Sequence, residues 1–220
     1  MTFCAKHSLH YISDEIYALS IFNNPDFPDA VPFTSVLSID LTDFIDPALI
    51  HVTYGLSKDF GAAGLKIGAL VTRNVHLKNA VDAIVRFHAV SGPSVAIATA
   101  MLQDREWIHD FIATSKLRIA DAYALTTSRL KDMGVRYYEG GNAAFFLWLD
   151  LSRYLPTGGG EALEGEYAIA GRFLEGGVFL QPGEEYSVRS GWFRLVFTLE
   201  RDVLVEGLRR IENVIKELNG

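Results

Sequence analysis

The sequence has a single cysteine, no block of lysine or arginine, and no long apolar run free of charge. Cys4 alone cannot form an internal disulfide, and this fits a reducing compartment, so we expect a cytoplasmic protein. The 20 basic residues are scattered among 27 acidic ones with a net charge of −7, which argues against a nucleic-acid partner. Without a signal-peptide pattern or a spanning segment, we expect no membrane partner and a small-molecule ligand instead.

The histidines are also too sparse to predict a metal site. His7 and His10 could share one face of a helical turn, but a strand is predicted to begin near Leu9 and separates them. The other four histidines are scattered along the chain. With 49% hydrophobic and 21% charged residues, the composition is that of a globular protein with one large domain or two small ones.

Strand-like segments dominate the first third of the chain. "LHYIS" (Leu9 to Ser13) follows the end of a helix and stops at the acidic pair Asp14 and Glu15. "ALIHVTYGLS" and "KIGALVTRN" predict two further strands, separated by about a dozen residues rich in glycine. Because a parallel crossover needs a longer connection, we expect these two strands to be antiparallel, with Lys58 on the loop between them.

The rest of the chain alternates helical and strand patterns. Helices are predicted from residue 75 to about 133, with a break at "SGPS" and one long helix from Trp107 to Leu130. Strands follow at "FFLWLDL", "VFLQPG" and "WFRLVFTL", and the last helix covers about 200–218. "GGG" at 158–160 is interpreted as a flexible loop. These patterns predict an α/β fold with a boundary near residue 120, inside the long helix.

Three motifs, "SDEIYALSIF", "YGLSKDFGAAGLKIGAL" and "GWFRLVFTLE", together resemble the aminotransferase class I/II family of pyridoxal-phosphate enzymes. Within it, the chain looks most like the 1-aminocyclopropane-1-carboxylate synthase branch and its fungal relatives. The resemblance implies a partial fold-type-I large domain (1–120), a C-terminal α+β subdomain (121–220), an amino-acid substrate and a homodimer. Only thirteen residues precede Asp14, so the chain resembles roughly the second half of such an enzyme.

The resemblance implies roles for the residues around Lys58. Lys58 would form the Schiff base with pyridoxal phosphate and act as catalytic base and acid, although a lysine in "SKD" is ordinarily a surface charge. Asp14 would pair with the pyridinium nitrogen, and its alternative role is a helix cap or turn residue. Tyr17 would hydrogen-bond the 3′ oxygen of the cofactor, and its alternative role is in the core. Glu15 is interpreted as structural.

Two further positions concern the phosphate and the substrate. The family pattern has a serine three residues before the lysine and an arginine eight after it, where this chain has Gly55 and Lys66. Lys66 and Ser57 are therefore the predicted phosphate ligands, without the arginine fork. Arg194 lies between apolar residues, where an unpaired charge is costly, so we expect it to bind the substrate α-carboxylate or to form a structural salt bridge.

The family allows more than one reaction. We expect synthase-like lyase chemistry, including cleavage of a carbon–sulfur bond, and the alternative is an aminotransferase. A third possibility belongs to another class: a catalytically incompetent half-domain with a structural or assembly role. Gly55, Lys66 and the short N-terminus favour it, and it predicts an exposed apolar patch.

Overall fold

The computed structural model describes residues 1–41, 43–155, 162–183 and 189–219, and it has the mixed α/β architecture that was predicted. The chain forms two compact units. The N-terminal unit comprises Met1–Ile21 and Val31–Thr114, and the C-terminal unit comprises Phe22–Ala30 and Ser115–Gly220. The predicted domains 1–120 and 121–220 stay a prediction, because the units are defined by packing and not by independent folding.

The N-terminal unit contains a three-stranded sheet of β1 (Tyr11–Asp14), β2 (Ile50–Gly55) and β3 (Gly68–Thr72), in that order. Strand β1 is parallel to β2, whereas β2 and β3 are antiparallel, as the short connection predicted. Gly55 pairs with Gly68 at the end of this hairpin, so Lys58 lies on the loop between β2 and β3. Helix α1 (Thr2–Lys6) precedes β1.

Helices follow the sheet, and polar side chains mark where they begin. The Asn74 side chain accepts a hydrogen bond from Leu77 N and caps α2 (Val75–Val85). Ser91 caps α3 (Gly92–Gln103), in which Pro93 occupies the first turn. These caps explain the break at "SGPS". The predicted long helix is α4 (Arg105–Asp132), and it contains the division between the two units.

The C-terminal unit contains a four-stranded antiparallel sheet in the order β4 (Arg136–Tyr137), β5 (Phe146–Asp150), β7 (Trp192–Val196), β6 (Gln181–Pro182). Alternation along β5 and β7 sends Leu147, Leu149, Phe193 and Leu195 to the buried face. Helices α5 (Ala162–Glu175) and α6 (Arg201–Asn219) belong to the same unit. The predicted "GGG" loop lies outside the described residues.

Glycines end the two helices that precede strands in this unit. Gly134 has a φ of 67°, and the amides of Gly134 and Val135 donate to Lys131 O and Leu130 O. Gly177, with a φ of 77°, closes α5 by the same pair of bonds. A residue with a Cβ is strained at this left-handed position, so glycine is the residue that lets the chain turn directly into a strand.

The C-terminal unit has a large core. Its cluster contains twenty buried residues, centred on Leu149, Phe173 and Phe193, and α6 contributes a stripe of buried residues at helical spacing. The segment Phe22–Ala30 joins this unit through the buried Asn24, whose side-chain amide donates to Tyr123 Oη, Glu139 O and Gly141 O. Local sequence patterns do not predict such a distant attachment.

The N-terminal unit has a much smaller core. Its cluster contains five buried residues, Val36, Leu41, Ile45, Ile50 and Val52. By contrast, β3 and α2 have no buried residue and α3 has only Ala98, while Leu70, Val71, Ile84, Phe87 and Ile97 are exposed. These elements and the segment after α2 therefore expose apolar side chains, and the expected continuous apolar patch stays a prediction.

Candidate active site

Asp14 is the last residue of β1 and lies at the edge where the parallel strands β1 and β2 end. It pairs with Thr53, whose hydroxyl donates to Asp14 Oδ1 at 3.3 Å, and the Ile16 amide donates to the same oxygen at 3.3 Å. The side chain of Asp14 is otherwise exposed. A carboxylate in this position can accept a further hydrogen bond from a ligand above the edge.

Lys58 follows the end of β2 at the same edge, on the loop between β2 and β3, and its side chain is exposed. Its Nζ lies 5.8 Å from the centroid of the Tyr17 ring, which is within the range of a cation–π contact. Tyr17 belongs to the turn that follows β1, where Ser20 N donates to Tyr17 O. The fold therefore brings Lys58 and Tyr17 together and places both after the strands that end in Asp14 and Gly55.

The predicted phosphate ligands lie on the same loop as Lys58. Ser57 is half-buried on the β2 side, and Lys66 is exposed on the β3 side. Lys66 has a left-handed backbone with φ 54°, an unusual conformation for a residue other than glycine. A Cβ added at Gly55 would lie 3.0 Å from Ile67 O, so the backbone of the opposite strand restricts the room for the serine of the family pattern.

Two buried carboxylates, Glu15 and Asp59, organise the loops around these residues. Glu15 accepts hydrogen bonds from Ser13, from Ser35 and from the amide of Val36, which agrees with the structural interpretation of this residue. Asp59 accepts hydrogen bonds from three donors, two in the turn after β1 (Leu19 and Ser20) and one in β2 (Tyr54). Sequence reasoning missed Asp59, because its partners Leu19 and Ser20 are about 40 residues away; the only signal was an acidic residue directly after the lysine.

Tyr54 is one of the Asp59 partners, and its ionisation is suppressed. Burial raises the pKa of the Tyr54 phenol, and the charge of Asp59 and the hydrogen bond to it raise this pKa further. Tyr54 Oη therefore stays protonated and donates to Asp59 Oδ2 at 3.0 Å. The loop that carries Lys58 is therefore held by a hydrogen bond that persists over the pH range in which most enzymes work.

Arg194 lies in β7 of the C-terminal unit. Its apolar neighbours Phe193 and Leu195 point to the core, and strand alternation places the half-buried Arg194 on the other face. There it donates to Gln181 Oε1 and lies 5.3 Å from the Phe146 ring centroid. The stacked rings of Trp148 and Trp192 are on the same face.

A histidine pair in the N-terminal unit was not predicted. His10 Nδ1 and His51 Nε2 are 2.7 Å apart, and His51 Nδ1 is 2.8 Å from the Thr72 hydroxyl. Burial lowers the pKa of His51, and the charge of His10 lowers it further. Among the described residues no group of three or more His, Cys, Asp or Glu side chains could hold a metal ion, and none of the described helices is long and apolar enough to span a membrane.

The sequence of the chain is similar to those of several known proteins. Residues 1–211 match the family "Aminotransferase class I and II". The chain is 35% identical over 217 residues to the Homo sapiens "1-aminocyclopropane-1-carboxylate synthase-like protein 1", covering 98% of this chain and 41% of that protein. It is 36% identical over 219 residues to the Mus musculus "Probable inactive 1-aminocyclopropane-1-carboxylate synthase-like protein 2", covering 99% of this chain and 36% of that one.

Solved structures agree at the level of the fold. A Thermus thermophilus aspartate aminotransferase double mutant is similar with a TM-score of 0.76 and 21% sequence identity, over 96% of this chain and 50% of that chain. The chain thus spans about two-fifths of the length of the two curated relatives and half of the solved one. The prediction that the chain corresponds to part of the aminotransferase fold is confirmed.

Proposed function

The chain belongs to the aminotransferase class I and II family, and we propose that its residues form part of the active site of a pyridoxal-phosphate-dependent enzyme that acts on an α-amino acid. The observation that carries the proposal is the approach of Lys58 Nζ to 5.8 Å from the Tyr17 ring, at the sheet edge where β1 ends in Asp14. An amine and a phenol on two neighbouring loops and a carboxylate at the end of β1 provide the groups that this cofactor requires.

The donor set fits the cofactor, with one weak point at the phosphate. Ser57 supplies a hydroxyl donor, and Lys66 supplies an ammonium group without the two-pronged geometry of arginine. Gly55 supplies no hydroxyl, and the nearby Ile67 carbonyl leaves little room for a side chain there. We therefore propose that the described residues hold the ring and the aldehyde end more firmly than the phosphate.

When bound, pyridoxal phosphate supplies an electron-accepting ring that stabilises negative charge at the substrate α-carbon. Lys58 would hold the cofactor covalently through Nζ and, once displaced by the substrate amine, would take the α-proton and later return a proton. The Asp14 carboxylate would keep the proton on the ring nitrogen. The Tyr17 hydroxyl would donate to the 3′ oxygen.

Arg194 is proposed as the group that binds the substrate α-carboxylate. Its guanidinium lies on the face of the C-terminal sheet opposite the core, against the Phe146 ring and beside Gln181. A planar guanidinium can hold a carboxylate through two parallel hydrogen bonds. Gln181 Oε1 already accepts a hydrogen bond from Arg194, so a substrate carboxylate would have to replace at least this contact.

For the reaction we propose lyase chemistry similar to that of 1-aminocyclopropane-1-carboxylate synthase, including cleavage of a carbon–sulfur bond. The name of the human relative supports this choice, and the family name supports the alternative, an aminotransferase. A lyase releases product from one amino acid, whereas an aminotransferase needs a 2-oxo acid to accept the amino group. A homodimer in the cytoplasm completes the proposal.

A second candidate is a structural half-domain without activity. Two observations favour it: the name "Probable inactive" of the mouse relative, and the exposed apolar side chains on β3, α2 and α3. Sedimentation of the chain with and without cofactor separates the candidates. A stable dimer that takes up no pyridoxal phosphate favours the structural role.

The proposed cofactor site can be tested by titrating the chain with pyridoxal phosphate, trapping the product with borohydride and mapping the labelled peptide. We expect saturable labelling at Lys58, absent in Lys58→Ala and unchanged in Lys78→Ala, which removes an exposed lysine of α2. Pyridoxal without phosphate provides a second arm. Lys66→Ala is expected to weaken labelling by pyridoxal phosphate and to leave labelling by pyridoxal unchanged, whereas equal labelling of Lys58 and Lys78 contradicts the proposal.

A further inference from the structure

We propose that Asp59 is a positioning residue that fixes the Lys58 loop to the segment after β1 and so sets the direction of the Lys58 side chain. The inference rests on the proposed function for the role of Lys58, and it concerns a neighbouring residue to which the family resemblance gave no role. Two consecutive residues that follow the lysine, Asp59 and Phe60, make the contacts that support it.

Asp59 is almost fully buried, although it is adjacent in sequence to the exposed Lys58. Its Oδ2 accepts from Leu19 N at 3.0 Å and from Tyr54 Oη at 3.0 Å, and its Oδ1 accepts from Ser20 Oγ. No ion pair to Asp59 is found among the described residues. A buried carboxylate is costly unless hydrogen-bonded, so these donors hold it in one place.

The donors come from the segments that present the other site residues. Leu19 and Ser20 belong to the turn after β1, two and three residues beyond Tyr17, and Tyr54 is in β2. Asp59 therefore ties the lysine loop to the turn that carries Tyr17. The contact of Lys58 Nζ with the Tyr17 ring spans the two segments that Asp59 joins.

Phe60 anchors the loop on its other side. Its ring stacks on Phe111 of α4 with centroids 5.8 Å apart and an interplanar angle of 12°, and Phe111 stacks on Trp107 at 4.9 Å. Aromatic pairs of this kind add to the stabilisation from burial alone. With Asp59 and Phe60 both held, the backbone at Lys58 has little freedom, while its amine stays accessible to solvent.

Position matters here because a reacting amine must lie within bonding reach and at the right angle, and a misplacement of about 1 Å can reduce a rate by about 10²-fold. If Asp59 acts by its position and not by its charge, an uncharged side chain of the same shape must preserve its effect on Lys58. In Asp59→Asn the amide oxygen can take the place of Oδ2, and the Ser20 hydroxyl can turn to accept from the amide nitrogen. Asp59→Ala removes all three contacts.

The experiment measures the rate of borohydride-trapped labelling of Lys58 by pyridoxal phosphate in the 220-residue chain, with Lys78 as internal reference. We expect Asp59→Ala to slow labelling of Lys58 by at least about tenfold, with no change at Lys78, and Asp59→Asn to restore most of the rate. Equal rates in wild type and Asp59→Ala overturn the proposal. Equal losses in Asp59→Ala and Asp59→Asn also overturn it, because charge and not position is then what matters.

A second readout separates this inference from the proposed function. Reductive methylation with 13C-formaldehyde gives an NMR signal for each lysine amine without any cofactor. We expect the dimethyl-Lys58 signal to shift in Asp59→Ala and, by a smaller amount, in Ser20→Ala and Tyr54→Phe. Each of the last two variants removes a single contact of Asp59, so they carry the test if Asp59→Ala does not fold. If wild-type Lys58 reacts no faster than Lys78 with pyridoxal phosphate, the proposed function fails; an unshifted Lys58 signal in all three variants overturns the positioning role.

Discussion

The two units of this chain use their apolar residues very differently. In the C-terminal unit twenty buried residues form one core between a four-stranded sheet and its helices, whereas the buried cluster of the N-terminal unit contains five residues and this unit exposes apolar side chains on β3, α2 and α3. The proposed cofactor residues Asp14, Tyr17 and Lys58 all belong to the unit with the small core. Buried polar contacts, together with the Phe60–Phe111 ring stack, therefore hold the candidate site in shape.

Replacement of a core residue in the C-terminal unit has the largest expected effect. Phe193 is fully buried in β7, so Phe193→Ala is expected to lower the free energy of unfolding by about 3–5 kcal/mol. Urea unfolding followed by the fluorescence of Trp148 and Trp192, with Trp107 replaced by phenylalanine, reports on this unit. Val196→Ala, at an exposed residue of the same strand, is the control with a small effect. Equal losses of unfolding free energy in the two variants would contradict the view that apolar packing stabilises the C-terminal unit.

Loss of the polar attachment of Phe22–Ala30 is expected to have the next largest effect. Asn24→Ala leaves the Glu139 and Gly141 carbonyls without their donor, and a buried unpaired group costs about 1–3 kcal/mol. The same urea titration measures the loss, and the exposed Asn213→Ala in α6 is the matched control. If Asn24→Ala unfolds at the wild-type midpoint, the segment is not an integral part of the C-terminal unit.

The units are also expected to respond to acid in different pH windows. The pKa of His51 is lowered from its ordinary 6.5 by burial and by His10, so the folded N-terminal unit binds fewer protons than the unfolded one and loses stability as the pH falls below 6.5. Burial raises the pKa of Asp26, but hydrogen bonds from Lys131 and Tyr137 outweigh it and lower the pKa from 3.8. The stability from Asp26 is complete above pH 3.8 and is lost as the pH falls through its folded pKa.

Amide hydrogen exchange measured from about pH 7 to about pH 3 can follow both windows in one chain. We expect protection of β1 and β2 to decrease first and protection of β5 and β7 to decrease later. His51→Gln removes the first pH dependence, and Asp26→Asn removes the second. A single transition shared by all four strands would show that the two units do not respond independently.

The smallest effect is expected at the exposed apolar surface. Phe87 is 79% exposed, so Phe87→Ser is expected to change the free energy of unfolding by no more than about 0.5 kcal/mol. It is expected to reduce self-association measured by light scattering, because exposed apolar surface promotes association. A large loss of stability would mean that Phe87 is packed, which would weaken the contrast between the units.

The features that the sequence predicted well are local. The glycine-rich connection between β2 and β3 is too short for a crossover, so their antiparallel pairing and the loop position of Lys58 followed from length alone. The helices α4 and α6 have long helical patterns. The features that it missed depend on distant pairs: Asn24 with Glu139, Asp59 with Leu19, and His10 with His51. No local pattern encodes such partners.

Arg194 shows how far a local pattern reaches. The sequence "WFRLVF" correctly predicted a strand, and the period of two in that strand places Arg194 on the face opposite Phe193 and Leu195. Its role toward a substrate stays a prediction. The same holds for Ser57 and Lys66, whose positions on one loop are known but whose ligand is a proposal.

Amide hydrogen exchange with and without pyridoxal phosphate tests the central claim most directly, namely that a unit with a small core presents a cofactor site held by polar anchors. We predict that, without cofactor, the core strands of the C-terminal unit are the most protected, and that pyridoxal phosphate increases protection only in the turn after β1 and in the loop that carries Lys58. Equal protection of the two units, or no change in these two segments at saturating cofactor, would contradict this claim.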